Sequence, residues 1–318
     1  MDNKIILAIA AAVIVVAAGV GGAVYLLKDD SDSTDVDVVR DDLRVGDKID
    51  YHFSMDMTEK TTTDTKEIFL GWIGEHDGAP VDTIGTQYKG KNIICDIYEF
   101  TVGECQVTTW NLQTSGFLYK KIENEGGIQT TYTLNDTNMD MDKIVSTLEV
   151  SAGDFYKYDV SGSTENGMMV GVFEKHVTAV EPNVIIESTQ KEHTEEDYSK
   201  EIVQISDNKY ILKGDSTPKT KDDVLSLILY SSFIKDAADK GKTLTHGDKT
   251  SGAVKTDDGY RDVTIEKITA TYDDETVNYV LYYGKEGMIY KIEASSEPGS
   301  EQMSSVLVFV SSNLVSKK

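Results

Sequence analysis

The five histidines, His52, His76, His176, His193 and His246, are the residues best suited to proton transfer or metal ligation, and their spacing serves neither. No two stand at the separation of a zinc-ligand pair, and none lies in a motif with a nucleophile. Segment 136–142 (DTNMDMD) opens like a calcium loop, with oxygen donors at alternate positions. Its sixth position is Met141 rather than Gly and its twelfth is Thr147 rather than Glu, so aspartates capping a following helix explain it more simply. Gly-rich phosphate loops of either standard spacing are missing from the sequence. The residue types therefore predict no catalytic residue, no metal and no cofactor. Asn135-Asp136-Thr137 is a sequon, which makes Asn135 a glycosylation candidate in a host with the machinery.

Two cysteines, Cys95 and Cys105, flank an expected hairpin: a strand over 92–100, a turn over 101–104 and a strand over 105–112. An even count at close spacing suggests a disulfide in an oxidising compartment. A tight turn near Val102 and Gly103 sets Cys95 opposite Trp110, so a bridge needs a longer loop or a bulge. A disulfide and a pair of free thiols on adjacent strands both remain open.

Compartment is read from the apolar run that begins at Ile5 and ends at Leu27, IILAIAAAVIVVAAGVGGAVYLL. As a helix, residues 5–27 extend roughly 34 Å, enough to cross a hydrocarbon core of about 30 Å. The run exceeds the apolar core of a cleaved signal, which favours an uncleaved anchor over residues 1–28. Lys4 precedes it, and Asp29, Asp30, Asp32, Asp35 and Asp37 follow soon after. Positive charge stays cytoplasmic, so the N-terminus is expected inside the cell membrane and the rest outside, on a single pass. The formal net charge of −24 repels nucleic acid and anionic headgroups. Residues 29–42 (DDSDSTDVDVVRDD) read as an acidic linker.

Beyond the linker the sequence repeats itself. LRVGDKIDYHF at 43–53 returns as VSAGDFYKYDV at 150–160, matching Gly46 with Gly153, Asp47 with Asp154 and Tyr51 with Tyr158. The segment starting at Asn92 returns at Val263, matching Gly116 with Gly287 and Tyr119-Lys120 with Tyr290-Lys291. A final strand closes each copy: GIQTTYTLNDTN in the first, MSSVLVFVSSN in the second. Gly-Asp turns followed by apolar-polar alternation are strand signals. The expectation is a mainly β protein with two tandem antiparallel curved-sheet domains, 43–138 and 150–318, joined by a helix over 139–149.

The second copy also carries a helical segment. Thr220 and Asp223 have capping-box spacing and Gly241 ends the run, predicting a helix over 221–240 packed on the sheet. Its apolar face includes Leu225, Ile228, Leu229 and Phe233.

The elements TTWNLQTSGFLYKKIENEGG and NYVLYYGKEGMIYKIEASSE resemble the core of the bacterial lipoprotein-carrier superfamily. The whole chain resembles uncharacterised archaeal membrane-anchored surface proteins. The first resemblance implies an antiparallel half-barrel whose concave face is covered by helices and holds acyl chains, although the first copy shows no long helix. The expected function is a non-catalytic, membrane-anchored extracytoplasmic surface or binding protein with a protein partner. The alternative is a carrier or sensor of a hydrophobic ligand, held between helix 221–240 and the second sheet by Leu225, Ile228, Leu229 and Phe233. A filled interface favours the first and a large apolar pocket the second.

Overall fold

Alternation decides the architecture. Ile49, Tyr51 and Phe53 turn one face of their strand inward while the residues between them stay wetter, and the same phase recurs through the chain. The structure, a computed structural model, describes residues 37–317 other than 41, 165, 257, 258, 273, 274, 298 and 300. In chain order it begins with β1 (Asp37–Val39), β2 (Lys48–Thr63), helix α1 (Lys66–Ile73), β3 (Asp82–Tyr88), β4 (Lys91–Val102), β5 (Cys105–Leu112), β6 (Leu118–Glu125), β7 (Ile128–Thr137), β8 (Phe155–Ser163) and β9 (Gly167–Ala179). There follow β10 (Ile185–Ser206), β11 (Lys209–Leu212), helices α2 (Lys221–Leu225) and α3 (Tyr230–Asp239), β12 (Thr243–Thr256), β13 (Gly259–Tyr272), β14 (Glu275–Tyr283), β15 (Ile289–Ser296), β16 (Glu301–Ser312) and β17 (Val315–Lys317). The expected anchor at residues 5–27 lies outside the described residues. No described helix is long and apolar enough to cross a membrane.

The chain forms two compact units, one of residues 57–194 and one that joins residues up to 56 with 195–318. The expected tandem boundary at 139–149 falls inside the first of these. Long strands β2 and β10 each contribute to both units, so the 57–194 unit is inserted within the other. In the 57–194 unit the sheet runs β3-β4-β5-β6-β7-β8-β9-β10, antiparallel between neighbours from β3 to β9. It curls: the Tyr88 hydroxyl at the end of β3 donates to the Asn135 carbonyl of β7 at 3.3 Å, and Lys89 pairs with Asp136. Helix α1 fills the curl, with Phe69 and Ile73 fully buried against Tyr156, Tyr158, Leu118 and Val177. In the other unit the order is β12-β13-β14-β15-β16-β2-β10, with β11 on β10 and β1 paired to β17. There α2 and α3 cover the sheet.

The repeated Gly-Asp turn is one structure built twice. Gly46 N–H donates to the Ile202 carbonyl and Ile202 N–H to the Asp47 carbonyl, both at 2.8 Å. Gly153 and Asp154 make the same pair with Val177, at 2.7 and 2.8 Å. Each Asp carboxylate takes the N–H three residues back, Arg44 at 2.6 Å and Ser151 at 2.7 Å. Both glycines sit at positive φ, 89° and 94°, where an L side chain is strained.

Several expected elements differ. The connecting helix over 139–149 is only a 3-10 turn, Val145–Thr147. The helix over 221–240 is two helices, because the link between them pairs with the start of β15: Ile289 N–H donates to the Ile228 carbonyl and Tyr230 N–H to the Gly287 carbonyl. Leu229 is extended there (φ −127°, ψ 122°), which ends one helix and starts the next. The 57–194 unit, expected to lack a long helix, packs the eight-residue α1 instead. The Cys95–Cys105 bridge is excluded by register. Cys95 lies opposite Leu112 and Cys105 opposite Val102, at the two ends of the hairpin. At about 3.4 Å per residue that is far beyond the roughly 7 Å a disulfide tolerates between Cα atoms. Both thiols are free and buried, and burial beside Asp96 pushes the Cys95 thiol up to about 11.

The matched turns make a prediction. Gly46→Ala and Gly153→Ala each lower unfolding free energy by about 1 to 2 kcal/mol in urea denaturation, from the left-handed backbone alone. Neither would-be Cβ meets an atom within 4 Å, so the two costs are equal if the turns are equivalent.

Candidate functional site

Of the four residues expected to hold a hydrophobic ligand, Leu225 and Ile228 are core and Leu229 and Phe233 pack partly buried beside it. Thr220 caps α2 through a closed capping box: Asp223 N–H donates to Thr220 Oγ1 at 3.1 Å, and Thr220 N–H to Asp223 Oδ2 at 2.7 Å. This sets Leu225 and Ile228, both fully buried, onto Ile49, Tyr51, Ile202 and Leu212. Leu229 packs at the margin of that cluster. Phe233 of α3 is half-buried and meets Tyr279 edge-on at 5.2 Å. The cavity beside Ile228, lined also by Ile49, Tyr51, Tyr290 and Phe309, holds about 10 Å³. That is room for one water, against roughly 300 to 1,000 Å³ for a ligand pocket.

The same unit buries a polar cluster that sequence reasoning missed. Glu266 of β13 is fully buried in phase with Ile268 and Ala270. His246 Nδ1 lies 2.8 Å from Oε1, the Tyr283 hydroxyl donates to Oε2 at 2.8 Å, and Lys249 Nζ is 3.1 Å from Oε2. Tyr230 also bonds the carboxylate and stacks on Tyr283 at 4.4 Å. A bulge in β12 between His246 and Lys249 lets both reach the same carboxylate. Burial raises the Glu266 carboxyl, but its donors His246, Tyr283, Lys249 and Tyr230 outweigh that and hold it below the usual range. Burial and the hydrogen bond to Glu266 push the Tyr230 hydroxyl up to about 12. Glu266 is thus a fixed anion, its oxygens occupied by donors, which suits a structural brace better than proton transfer.

The 57–194 unit holds two buried lysines of opposite character under α1. Lys121 pairs with Glu75 at 2.6 Å and Glu123 at 2.8 Å, and lies 5.4 Å from the Trp72 ring centre. Burial lowers its ammonium, yet Glu123 and Glu75 together raise it above the ordinary value. Lys175, in phase with buried Phe173 and Val177, lies 3.5 Å from the Ile68 carbonyl and 5.8 Å from the Phe173 ring centre. Burial pulls its ammonium down to about 8; Glu75 opposes the fall and Lys121 adds to it. Trp72 binds this region together, with Tyr158 and Phe173 at 4.6 Å and Tyr132 and Tyr156 at 5.7 and 5.8 Å. A charged residue in the apolar phase of a strand was the available signal for Glu266 and Lys175 alike.

The histidines stay apart. His52 meets Asp197 at 3.0 Å, His76 stacks on Tyr98, His176 stacks on Phe155, and His246 serves Glu266; His193 lies in β10. Among the described residues no three His, Cys, Asp or Glu side chains are grouped to hold a metal. Asp136 of the calcium-like segment is taken by Lys89. Asn135 is exposed at a bulge in β7, with its side-chain amide on Asp159 at 2.8 and 2.9 Å.

Two substitutions separate these clusters by sign. Lys175→Met, which replaces a poorly bonded buried ammonium with an apolar chain, stabilises by about 2 kcal/mol at pH 7, read as a raised Tm. In the parent, stability rises with pH from about 8 towards the unfolded lysine range near 10.5, because only the unfolded chain keeps that proton; the Met variant loses this rise. Glu266→Gln costs roughly 1 to 3 kcal/mol in the same melts, since it replaces a buried carboxylate that takes hydrogen bonds from His246, Lys249, Tyr230 and Tyr283 with an amide that cannot accept them all. The parent contribution is full above the unfolded glutamate range and fades as pH falls through the depressed folded value.

No protein-family model matches the chain, and no curated protein matches it. Among solved structures the chain is similar to the di-domain ARO/CYC StfQ from the steffimycin biosynthetic pathway, at 7% identity over 80% of this chain and 84% of that one, with a TM-score of 0.17. It is also similar to intact Ap-TbpB (N and C lobes), at 10% identity over 85% of this chain and 50% of that one, with a TM-score of 0.13. Likenesses this slight carry no argument about fold or activity.

Proposed function

We propose that the protein is a non-catalytic, membrane-anchored extracytoplasmic binding protein that engages a protein partner through its outer surface. The observation that carries this reading is the close packing where the link between α2 and α3 meets its sheet, with a space beside Ile228 of about 10 Å³. A carrier of acyl chains needs a hollow that Leu225, Ile228, Leu229 and Phe233 here occupy themselves. In this reading the likeness to the lipoprotein-carrier superfamily is one of architecture, a curled antiparallel sheet with helices on its face. Residues 5–27 supply the anchor, on length and apolarity. The net charge of −24 keeps the exported part soluble and turns away nucleic acid.

Protease added to intact cells removes the C-terminal bulk while a tag on the N-terminus stays protected. Protection of the bulk until lysis overturns the placement. Mass spectrometry of the natively purified chain finds no stoichiometric lipid; one bound lipid per chain supports the carrier instead.

A further inference from the structure

Among the described residues the order of the long sheet ends at β3 and at β12, and these two edges are guarded very differently. Strand β12 is broken by its bulge between His246 and Lys249, a common device against edge-to-edge pairing. Strand β3 has none. Its register with β4 runs unbroken from Asp82 opposite Ile97 to Tyr88 opposite Lys91. Between Asp82 and Lys89 there is no charge and no proline (TIGTQY). Ile84 is 45% exposed and Ile94, opposite Gly85 on β4, is 55% exposed.

The unused backbone groups of β3 can be read off its hairpin. The two-residue turn Lys89-Gly90, with φ 47° and 79°, makes Tyr88 and Lys91 a hydrogen-bonded pair. Thr86, Ile84 and Asp82 then bond to β4, and Thr83, Gly85 and Gln87 turn their backbone outward. Gln113 N–H donating to the Ile94 carbonyl at 2.9 Å fits this phase, since it turns Ile94 away from Gly85. Thr83 N–H is used by its neighbour Asp82 at 2.8 Å, and the Gln87 carbonyl by the Tyr119 hydroxyl at 3.3 Å. Among the described residues, what remains open is both groups of Gly85, the Thr83 carbonyl and the Gln87 N–H.

We propose that β3 pairs antiparallel with β3 of a second copy of this chain, about a two-fold axis through Gly85. In that register Gly85 exchanges two hydrogen bonds with its counterpart, and each Gln87 N–H donates to the Thr83 carbonyl across the axis. The open groups and the new bonds match one for one. Charge selects the same arrangement. The strand is acidic at its start, Asp82, and basic past its end at Lys91 (Lys89 is held by Asp136 of its own chain), so antiparallel pairing brings unlike charges toward each other at both ends. For a chain of net charge −24, the acid-free stretch 83–95 is also where two copies repel least. Ile84 falls opposite Thr86 of the second copy, so the two Ile84 side chains share one face and cover each other. A side chain added at Gly85 meets no atom within 4 Å, so the sheet face at the proposed axis is uncovered.

The test uses the full chain in detergent. Ile84 and Thr86 form a non-hydrogen-bonded cross-strand pair in this register, so Ile84→Cys with Thr86→Cys yields a disulfide-linked dimer under mild oxidation, at least tenfold above either single variant. All variants carry Cys95→Ala, because Cys95 lies opposite Ile84 on β4 and would compete for the new thiol, while Cys105 is buried at the far end of its own hairpin. Adding Gly85→Pro, which deletes the central donor at an edge position that tolerates proline, abolishes the link. Circular dichroism confirms that each variant is folded. A cross-link no stronger than in the single variants overturns the proposal, as does one that survives Gly85→Pro, which places the contact elsewhere. Should the double variant misfold, sedimentation of the unmodified chain decides: a dimer that Gly85→Pro converts to monomer supports the pairing, and a monomer throughout refutes it.

Discussion

A curled antiparallel sheet has one face that must stay dry, and in both units a short helical element meets that demand. Neither α1, with eight residues, nor α2, with five, is long enough to hold its shape in water alone. Each persists because it lies on a sheet that supplies the apolar contacts. In the 57–194 unit Trp72 spreads that contact over four aromatic rings. In the other unit the task is divided: α2 sits on Ile49, Tyr51 and Ile202, and α3 on Tyr279 and its neighbours. The helices fill the sheet face with their own side chains.

The polar groups inside these cores show how far the packing can bend. Glu266 and Lys121 are buried with opposite charges around them and keep their ionised forms. Lys175 lacks such a partner and its ammonium is correspondingly weakened. The contrast follows from strand register. Lys121 lies opposite Thr109 on a sheet row that Glu75 can reach, and Glu123 is two residues along the same strand. Lys175 lies opposite Tyr156, among aromatic rings.

Much of the secondary structure was legible in the residues, and the pairing between distant strands was not. The Gly-Asp turns at Gly46 and Gly153 were visible because a positive φ demands glycine and the carboxylate closes its own turn. The capping box at Thr220 was equally local. The break after Leu225 was not legible, since the apolar spacing continues through Ile228, Leu229 and Phe233, and only the pairing with Gly287 and Ile289 interrupts the helix. The division into units was hidden for a related reason. Similarity between two segments says nothing about which edge each will join; β7 takes β8, and β16 takes β2. The buried Glu266 and Lys175 stood in plain view as charges in apolar phase, but a strand exposed on both faces produces the same pattern.

The insertion of one unit within the other orders events on the ribosome. Residues 57–194 emerge as an uninterrupted stretch and can close their sheet early. Strand β1 and the first half of β2 must wait for β16 and β17, which follow the inserted unit in the sequence, before their edges are filled. A nascent chain that stalls anywhere before residue 300 therefore displays unpaired strand where the finished one does not. Such exposed strand is the aggregation-prone feature of incompletely folded chains.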